Sequence, residues 1–410
     1  MTTWTRGRTL ALALAGLCAG AMALAQATQG GADWPRFRGP NNDGISPETG
    51  INRDWAARPP QVLWQVPLTD GGYAGPSVAN GLVFIIDHEG SQSIVRALRL
   101  TDGTEVWRFA YEDGDRPNYG FARATPTVDG PRVYTMSRFG KVHCLEAATG
   151  RLIWMRDVVR DFNGQLPRWE IAVSPLVDGD RLIVQPGGPG AAVVALNKMT
   201  GETIWQGGGD GRPGYASPFV ATIGGKRQYV TTDANGALGV DPDNGRRLWH
   251  FPWPTRHGVN AATPLVIGDS VFIASGYGQG AALADIRGGE AVERWRSPAL
   301  QAHFNSPVYH RGHIYGTGDP GVLTCLDPRT GRALWSAPGF EKGGMVLVDD
   351  LIIALAGSTG DLVLVRATPE RYEELGRIRP LGGQSWTAPI VAQGRIIVRN
   401  RTTLACLSLR

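Results

Sequence analysis

The sequence predicts an all-β chain: an eight-bladed β-propeller of four-stranded antiparallel blades, closed into a ring by an N-terminal strand. Three observations predict it: a repeat of about 45 residues, a fixed Gly-to-Trp spacing within it, and a last repeat that lacks one strand. The 410 residues include 56 Gly and 28 Pro, well above ordinary usage. So many turn residues without a helical period favour short strands joined by hairpins.

Each repeat opens with Ser, Thr or Ala followed by Pro, and continues through apolar strands separated by Gly turns. A proline opens seven repeats, at Pro76, Pro126, Pro175, Pro218, Pro264, Pro307 and Pro389. Residues 344–346 replace the opener in one further repeat, which brings the count to eight. Because one amphipathic sheet cannot bury both of its faces alone, such repeats must stack on one another.

The last hairpin of most repeats carries a Gly followed four residues later by a Trp. Gly supplies the positive φ of the turn, and the indole then packs against the neighbouring repeat. We interpret these indoles as interblade core rather than as a binding surface. This docking set comprises Trp64, Trp107, Trp154, Trp205, Trp249, Trp295 and Trp335.

The two ends of the repeat region complement each other. The last repeat, residues 386–409, supplies only three strands, and residues 62–66 form an isolated apolar strand with its own Trp. We expect this strand to complete the last blade, which would remove exposed sheet edges from the ring. The propeller is therefore predicted to span residues 61–410.

The N-terminal residues, 1–25, are predicted to be an export signal. Arg6 and Arg8 precede an apolar run that ends in small residues, and this run is too short to span a membrane. Leu17 precedes Cys18, where a lipidation signal needs a small residue, so lipidation is not expected. The mature chain is expected to be periplasmic or secreted, and soluble.

Residues 26–60 show no strand or helix period. We expect an extended arm that lies across the propeller and is anchored by Trp34 and Phe37.

The charge balance excludes one broad class of function. The net charge is +4 and falls to about +2 without Arg6 and Arg8. This balance lacks the basic excess that nucleic-acid binding requires.

Three segments resemble the Trp-docking motif of pyrroloquinoline-quinone (PQQ) dehydrogenase propellers: LEAATGRLIW (145–154), LNKMTGETIW (196–205) and LDPRTGRALW (326–335). Residues 34–46, 162–188 and 360–377 are similar to the PQQ-like repeat proteins that many bacteria export. A weaker resemblance extends to the B subunit of the outer-membrane barrel-assembly machinery. The resemblance implies a quinoprotein alcohol dehydrogenase-like propeller, but one fold hosts many activities.

The dehydrogenases that this chain resembles use PQQ, a calcium ion, a catalytic Asp and typically a vicinal disulfide. The sequence has neither a Cys-Cys pair nor a Cys-x-x-Cys-His haem motif. We therefore expect no cofactor, no catalytic residue and no metal.

Three cysteines share one position of the repeat. Cys144, Cys325 and Cys406 occupy this position in three non-adjacent blades. They are too far apart for disulfides, so we expect buried free thiols.

His310 and His313 flank a hairpin turn without a third ligand, which favours an exposed turn over a zinc site. Residues 112–115 (EDGD) are expected to form a solvated acidic loop.

The loops that enter the innermost strands should ring one end of the channel. Their residues either plug the channel mouth or form a pocket for a ligand or peptide. The candidate binding residues are Tyr73, Phe121, Arg123, Trp169, Tyr215, His257, Asn260, His303, Asn305 and Trp386.

The first functional hypothesis is a non-catalytic periplasmic binding or scaffold propeller that acts through its loops on a protein, peptide or envelope component. One alternative is a PQQ- and calcium-dependent alcohol or sugar dehydrogenase, against which the missing cysteine pair stands. The other is an outer-membrane protein assembly factor, against which the missing lipidation signal stands.

Overall fold

Eight four-stranded antiparallel blades follow one another along the chain, which confirms the predicted propeller. The computed structural model describes Met1 and residues 31–116 and 119–410. The predicted export signal, residues 1–25, lies outside the described residues apart from Met1.

The blades are numbered in chain order, and each is given from its innermost to its outermost strand. Blade 1 comprises Ser77–Ala79, Leu82–Glu89, Gln92–Arg99 and Glu105–Glu112; blade 2 comprises Thr127–Asp129, Arg132–Met136, Lys141–Glu146 and Leu152–Asp157; blade 3 comprises Leu176–Asp178, Arg181–Val184, Val193–Asn197 and Thr203–Gly207; blade 4 comprises Phe219–Ile223, Lys226–Asp233, Gly236–Val240 and Arg247–Pro252.

The second half of the ring repeats the same plan. Blade 5 comprises Leu265–Ile267, Ser270–Ser275, Gly280–Arg287 and Glu290–Ser297; blade 6 comprises Val308–His310, His313–Gly318, Val322–Asp327 and Arg332–Pro338; blade 7 comprises Met345–Val348, Leu351–Leu355, Leu362–Arg366 and Glu374–Ile378; blade 8 comprises Ile390–Ala392, Arg395–Arg399, Thr403–Ser408 and Val62–Pro67. Two short helical turns, Val158–Asp161 and Arg256–Gly258, lie in loops between blades.

The middle strands of each blade are largely buried on both faces because a neighbouring blade covers each face. In blade 1, six consecutive residues of Leu82–Glu89 are buried. The outer strand Glu105–Glu112 buries only Trp107 and Tyr111, and its other side chains point to solvent or rest at the rim. The core of the propeller therefore lies between blades.

The ring closes as the sequence predicts. Val62–Pro67 pairs antiparallel with Thr403–Ser408, and Trp64 lies opposite Cys406. A fully buried ion pair, Arg399 Nη2 to Asp70 Oδ1 at 2.7 Å, joins the same two chain regions. The first and last repeats are thus held both by backbone hydrogen bonds and by a charged pair.

At six of the seven docking positions, the indole N–H donates to a backbone carbonyl of the next blade at 2.8–3.1 Å. The glycine of the next hairpin makes room for the ring: a Cβ atom at Gly150 would come within 2.5 Å of the Trp107 ring. The exception is Trp249, whose indole N–H donates to Gln228 of its own blade at 2.5 Å. Blade 5 turns through Gly288 and Gly289 and lacks the usual Thr-Gly hairpin.

The N-terminal arm contains one short strand, although its sequence shows no strand or helix period. Ile45–Ser46 forms a short strand parallel to Met345–Val348, as a fifth strand of blade 7. The arm also bonds to other innermost strands: the Trp34 N–H donates to the Val78 carbonyl at 2.9 Å, and the Val128 N–H donates to the Pro35 carbonyl at 2.7 Å. It therefore reaches blades on several sides of the channel.

Cys144, Cys325 and Cys406 are buried free thiols within the described chain, as expected. None of the helices in the described ranges has the length and apolar character needed to cross a bilayer.

Candidate functional site

A cavity of about 280 Å³ lies along the channel. The arm residues Trp34, Phe37 and Arg38 line one part of the cavity, beside the innermost strands. Residues of the loops that lead into those strands line the other part. Small residues such as Gly75 and Ala261 line the stretch between. Because Gly and Ala have little or no side chain, the cavity continues through this stretch and side chains do not fill it.

Most of the predicted mouth residues reach the cavity. Seven of the ten line it: Tyr73, Arg123, Trp169, Tyr215, His303, Asn305 and Trp386.

Three predicted residues lie elsewhere. Phe121 stacks on His88, with ring centroids 3.5 Å apart. Asn260 is buried and donates to the carbonyls of Asp233 and Trp253, so it ties loops together. His257 is exposed and meets the edge of Trp169 beside the cavity.

Four mouth residues were missed by the sequence interpretation: Tyr119, Tyr277, Phe304 and Lys342. Phe304 lies just before the Pro307 opener, between the predicted His303 and Asn305, so its position was an available signal. Lys342 precedes the degenerate opener at residues 344–346, whereas Tyr119 and Tyr277 lie further from any opener.

Four aromatic side chains form what we call the Trp386 cluster: Tyr73, Tyr119, Phe304 and Trp386. The Trp386 ring is stacked with Tyr73 at 5.4 Å and with Tyr119 at 6.4 Å between centroids. Phe304 is tilted against it at 5.6 Å. Such offset and tilted arrangements are the favourable ones for aromatic rings, so the cluster is a stable apolar platform at the mouth.

His303 connects this cluster to Tyr277. The His303 ring lies 5.0 Å from Phe304 and 4.6 Å from Tyr277, edge-on to each. Only 8% of His303 is exposed, yet neither ring nitrogen has a hydrogen-bond partner within the described chain. Burial, together with the nearby Lys342 charge, lowers the pKa of His303 to about 4. At neutral pH the ring is therefore uncharged and carries one donor and one acceptor.

Lys342 is held over the cluster by its loop. Its backbone has a positive φ of 44°, a conformation that costs a non-glycine residue free energy. The Asn305 side-chain amide donates to the Lys342 carbonyl, which fixes the loop. The Lys342 ammonium lies 5.2 Å from the centre of the Trp386 ring, within cation–π distance.

A buried charge network supports the other side of the mouth. Arg123 Nη1 pairs with Glu170 at 2.8 Å, and Arg138 pairs with both Glu170 and Asp113 at 3.3 Å. The expectation of a solvated acidic loop at residues 112–115 is wrong for Asp113, because Arg138 of the next blade reaches and buries it. The Glu170 carboxylate is thus shared between two guanidinium groups.

The lining does not fit a calcium–quinone centre. Calcium takes six to eight oxygen ligands, usually including carboxylates, but no Asp or Glu lines the cavity among residues 31–116 and 119–410. In the same part of the chain, no three His, Cys, Asp or Glu side chains converge as a metal site. His310, considered above as a ligand, instead contacts Asp350 at 3.0 Å.

Comparison with known families decides where the chain belongs. The PQQ_2 family model, described as outer membrane protein assembly factor BamB, matches residues 91–337. The chain belongs to this family. The suspected resemblance to PQQ-like propellers and to the barrel-assembly subunit is confirmed.

Members of the family and quinoproteins both appear among its relatives. The assembly factor BamB of Yersinia pestis is 25% identical over 324 residues, which cover 72% of this chain and 75% of that protein. A quinoprotein ethanol dehydrogenase of Pseudomonas aeruginosa is also 25% identical, but the match covers 52% of this chain and 36% of the dehydrogenase. The chain therefore matches about a third of the dehydrogenase and most of the assembly factor.

Solved structures show the same fold. BamB from Moraxella catarrhalis superposes with a TM-score of 0.64 at 17% identity, covering 86% of this chain and 98% of that one. A quinohemoprotein alcohol dehydrogenase from Comamonas testosteroni superposes with a TM-score of 0.64 at 16% identity, covering 92% and 80%. At these identities the likeness establishes the propeller alone.

Proposed function

We propose that this chain is a non-catalytic cell-envelope propeller that binds a protein partner through its channel mouth, as a scaffold in outer-membrane protein assembly. The observation that carries the proposal is the Trp386 cluster at the opening of a cavity that no carboxylate of residues 31–116 or 119–410 lines. Membership of the BamB family supports the assembly role, and the predicted export signal supports the location.

The mouth has the character of a protein-binding surface. Tyr119 is 63% exposed and Tyr277 is 43% exposed, while Trp386, which stacks with Tyr119, is half-buried. Aromatic side chains with polar atoms, surrounded by packed neighbours, are the residues that dominate binding energy in protein interfaces. The buried network of Arg123, Glu170 and Arg138 holds the supporting loops in place, so little ordering is required on binding.

A second candidate function is the PQQ- and calcium-dependent dehydrogenase, which is favoured by the quinoprotein relatives. The absence of carboxylates from the described cavity lining argues against it. The purified protein mixed with PQQ and calcium should show no dye reduction with alcohols or sugars above a calcium-free control. Substrate-dependent turnover would replace the scaffold proposal with the dehydrogenase.

The proposal is tested in the source organism by deleting the gene and restoring variants. The readout is the amount of folded outer-membrane β-barrel protein, measured by heat-modifiable gel mobility. We expect the deletion to lower it, the wild-type chain to restore it, and Tyr119→Ala with Trp386→Ala to fail.

The matched control is Val292→Ala, which removes an exposed apolar side chain from the outer strand of blade 5. This variant should restore assembly fully. Unchanged barrel-protein levels in the deletion strain, or full restoration by the mouth variant, would contradict the proposal.

A further inference from the structure

The cavity mouth carries two kinds of polar group that lack a described counterpart. His303 offers a donor and an acceptor, both buried and unpartnered within the described chain. A buried polar atom without a partner is unfavourable, so such atoms mark places where a ligand or water completes the hydrogen bonds.

The second group is the Lys342 ammonium. No carboxylate of residues 31–116 or 119–410 forms an ion pair with it, and it lies over the face of Trp386. The other charged residues of the lining are Arg38, which donates to backbone carbonyls, and Arg123, which pairs with Glu170. The Lys342 charge therefore favours an anionic group and disfavours a cationic one.

These groups lie around one aromatic platform. Phe304 contacts both the His303 ring and the Trp386 ring, so the imidazole and the indole are one side chain apart. An aromatic ring that packs against the Trp386 cluster is therefore near both the His303 ring and the Lys342 ammonium. The chemistry that matches all three contacts is an aromatic ring with a hydroxyl group, next to a carboxylate.

We propose that the mouth recognises an acidic-aromatic segment of the protein partner: a tyrosine that packs against the Trp386 cluster and bonds His303, beside a carboxylate that pairs with Lys342. This inference rests on the proposed function and names the partner's chemistry. A tyrosine hydroxyl both donates and accepts, as the neutral imidazole does. The carboxylate would draw the ammonium from the indole and form a charge-assisted hydrogen bond.

The test is fluorescence anisotropy of the exported chain with labelled peptides whose central residues are Glu-Tyr-Glu, Glu-Phe-Glu, Glu-Ala-Glu or Lys-Tyr-Lys. We expect the Glu-Tyr-Glu peptide to bind most tightly. Replacing Tyr by Ala, or both Glu by Lys, should each weaken binding about tenfold or more, the usual effect of losing a central interface contact.

Two variants assign the contacts. Lys342→Gln should weaken the Glu-Tyr-Glu peptide about tenfold and leave the Lys-Tyr-Lys peptide unchanged or tighter. His303→Leu should abolish the preference for Tyr over Phe. Lys226→Gln is the matched control, since Lys226 lies on the blade 4 strand Lys226–Asp233 and pairs with Asp241; it should bind like the wild type.

Equal binding of the Glu- and Lys-flanked peptides, or no effect of Lys342→Gln in a protein that unfolds at the wild-type temperature, would overturn the inference. If the peptides fail to bind while barrel-protein assembly still depends on Tyr119 and Trp386, only the inference fails. If assembly is also independent of these residues, the proposed function fails with it.

Discussion

Trp55 of the arm covers Gly376 of blade 7: a Cβ atom at position 376 would lie 2.5 Å from the Trp55 Cβ. Gly376 faces Leu364 across a β-bulge, at the position where the other blades carry a docking Trp. The indole that blade 7 lacks is thus supplied from outside the repeat, and only 2% of Trp55 is exposed. The arm is part of the interblade core.

Trp55→Ala should therefore lower the free energy of unfolding by about 3–5 kcal/mol, as truncation of a buried large aromatic residue does. Urea denaturation followed by circular dichroism measures the change. Tyr119→Ala, at an exposed aromatic residue, is the control and should unfold like the wild type. A Trp55→Ala protein with an unchanged midpoint would show that the arm is dispensable for the core.

Gly150→Ala tests whether the Trp107 indole packs against the glycine of the next blade. Gly150 has a φ of 73°, and an added Cβ would lie 2.5 Å from the Trp107 ring. We expect a loss of about 1–3 kcal/mol from strain and overpacking, measured by thermal unfolding.

The control for that substitution is Gly81→Ala, which has nearly the same backbone conformation, with a φ of 74°, and no atom within 4 Å of the added Cβ. Its loss reports backbone strain alone and should be smaller. Equal losses at the two glycines would mean that the Trp107 ring does not pack against Gly150.

The fold followed from the sequence because the signals repeat. The opener and the Gly-to-Trp spacing recur along the chain, and the strand missing from the last repeat is found before the first. One position that departs from the pattern therefore does not change the predicted fold. What the repeat could not predict came from unique contacts. Trp249 bonds to Gln228, and Trp55 fills the place of an absent Trp; neither follows from spacing.

Stability should fall in acid because of two buried histidines. Burial lowers the pKa of His143 and of His303 to about 4 from the ordinary 6.5. Between those values the unfolded chain binds more protons than the folded one, so stability is complete above about pH 6.5 and is lost as the pH falls toward 4. Each histidine contributes up to about 3 kcal/mol to this loss.

Urea unfolding from pH 4.5 to 7.5 measures this slope in the wild type and in His143→Leu. Because the Leu side chain does not titrate, the variant should show a shallower decline over the same range, while the carboxylates contribute equally to both proteins. Parallel curves would contradict the assignment of a lowered pKa to His143.

The thiols of Cys144, Cys325 and Cys406 should react slowly in the native protein. Burial raises the pKa of Cys325 and of Cys406 to about 12, so little reactive thiolate is present at neutral pH. Alkylation and mass spectrometry should find all three modified after denaturation without a reductant. A single modified thiol in that sample would reveal a disulfide.

The mouth was less predictable than the fold. Position before an opener brought seven of ten candidates to the cavity, because those positions are set by the repeat. Lys342 was missed because its blade has the degenerate opener, and its placement depends on the bond from Asn305. Asn260 lies outside the lining, because its side-chain amide donates to the Asp233 and Trp253 carbonyls.

The central claim, that the mouth binds a protein partner, is tested most directly by photocrosslinking in the living cell from position 119. A photoreactive amino acid in place of Tyr119 should crosslink to one defined envelope protein. That product should vanish when Trp386→Ala is added, and it should be absent when the probe replaces Val292 on the blade 5 rim. A product that persists with Trp386→Ala, or no product at position 119 in a correctly folded and exported protein, would contradict the account.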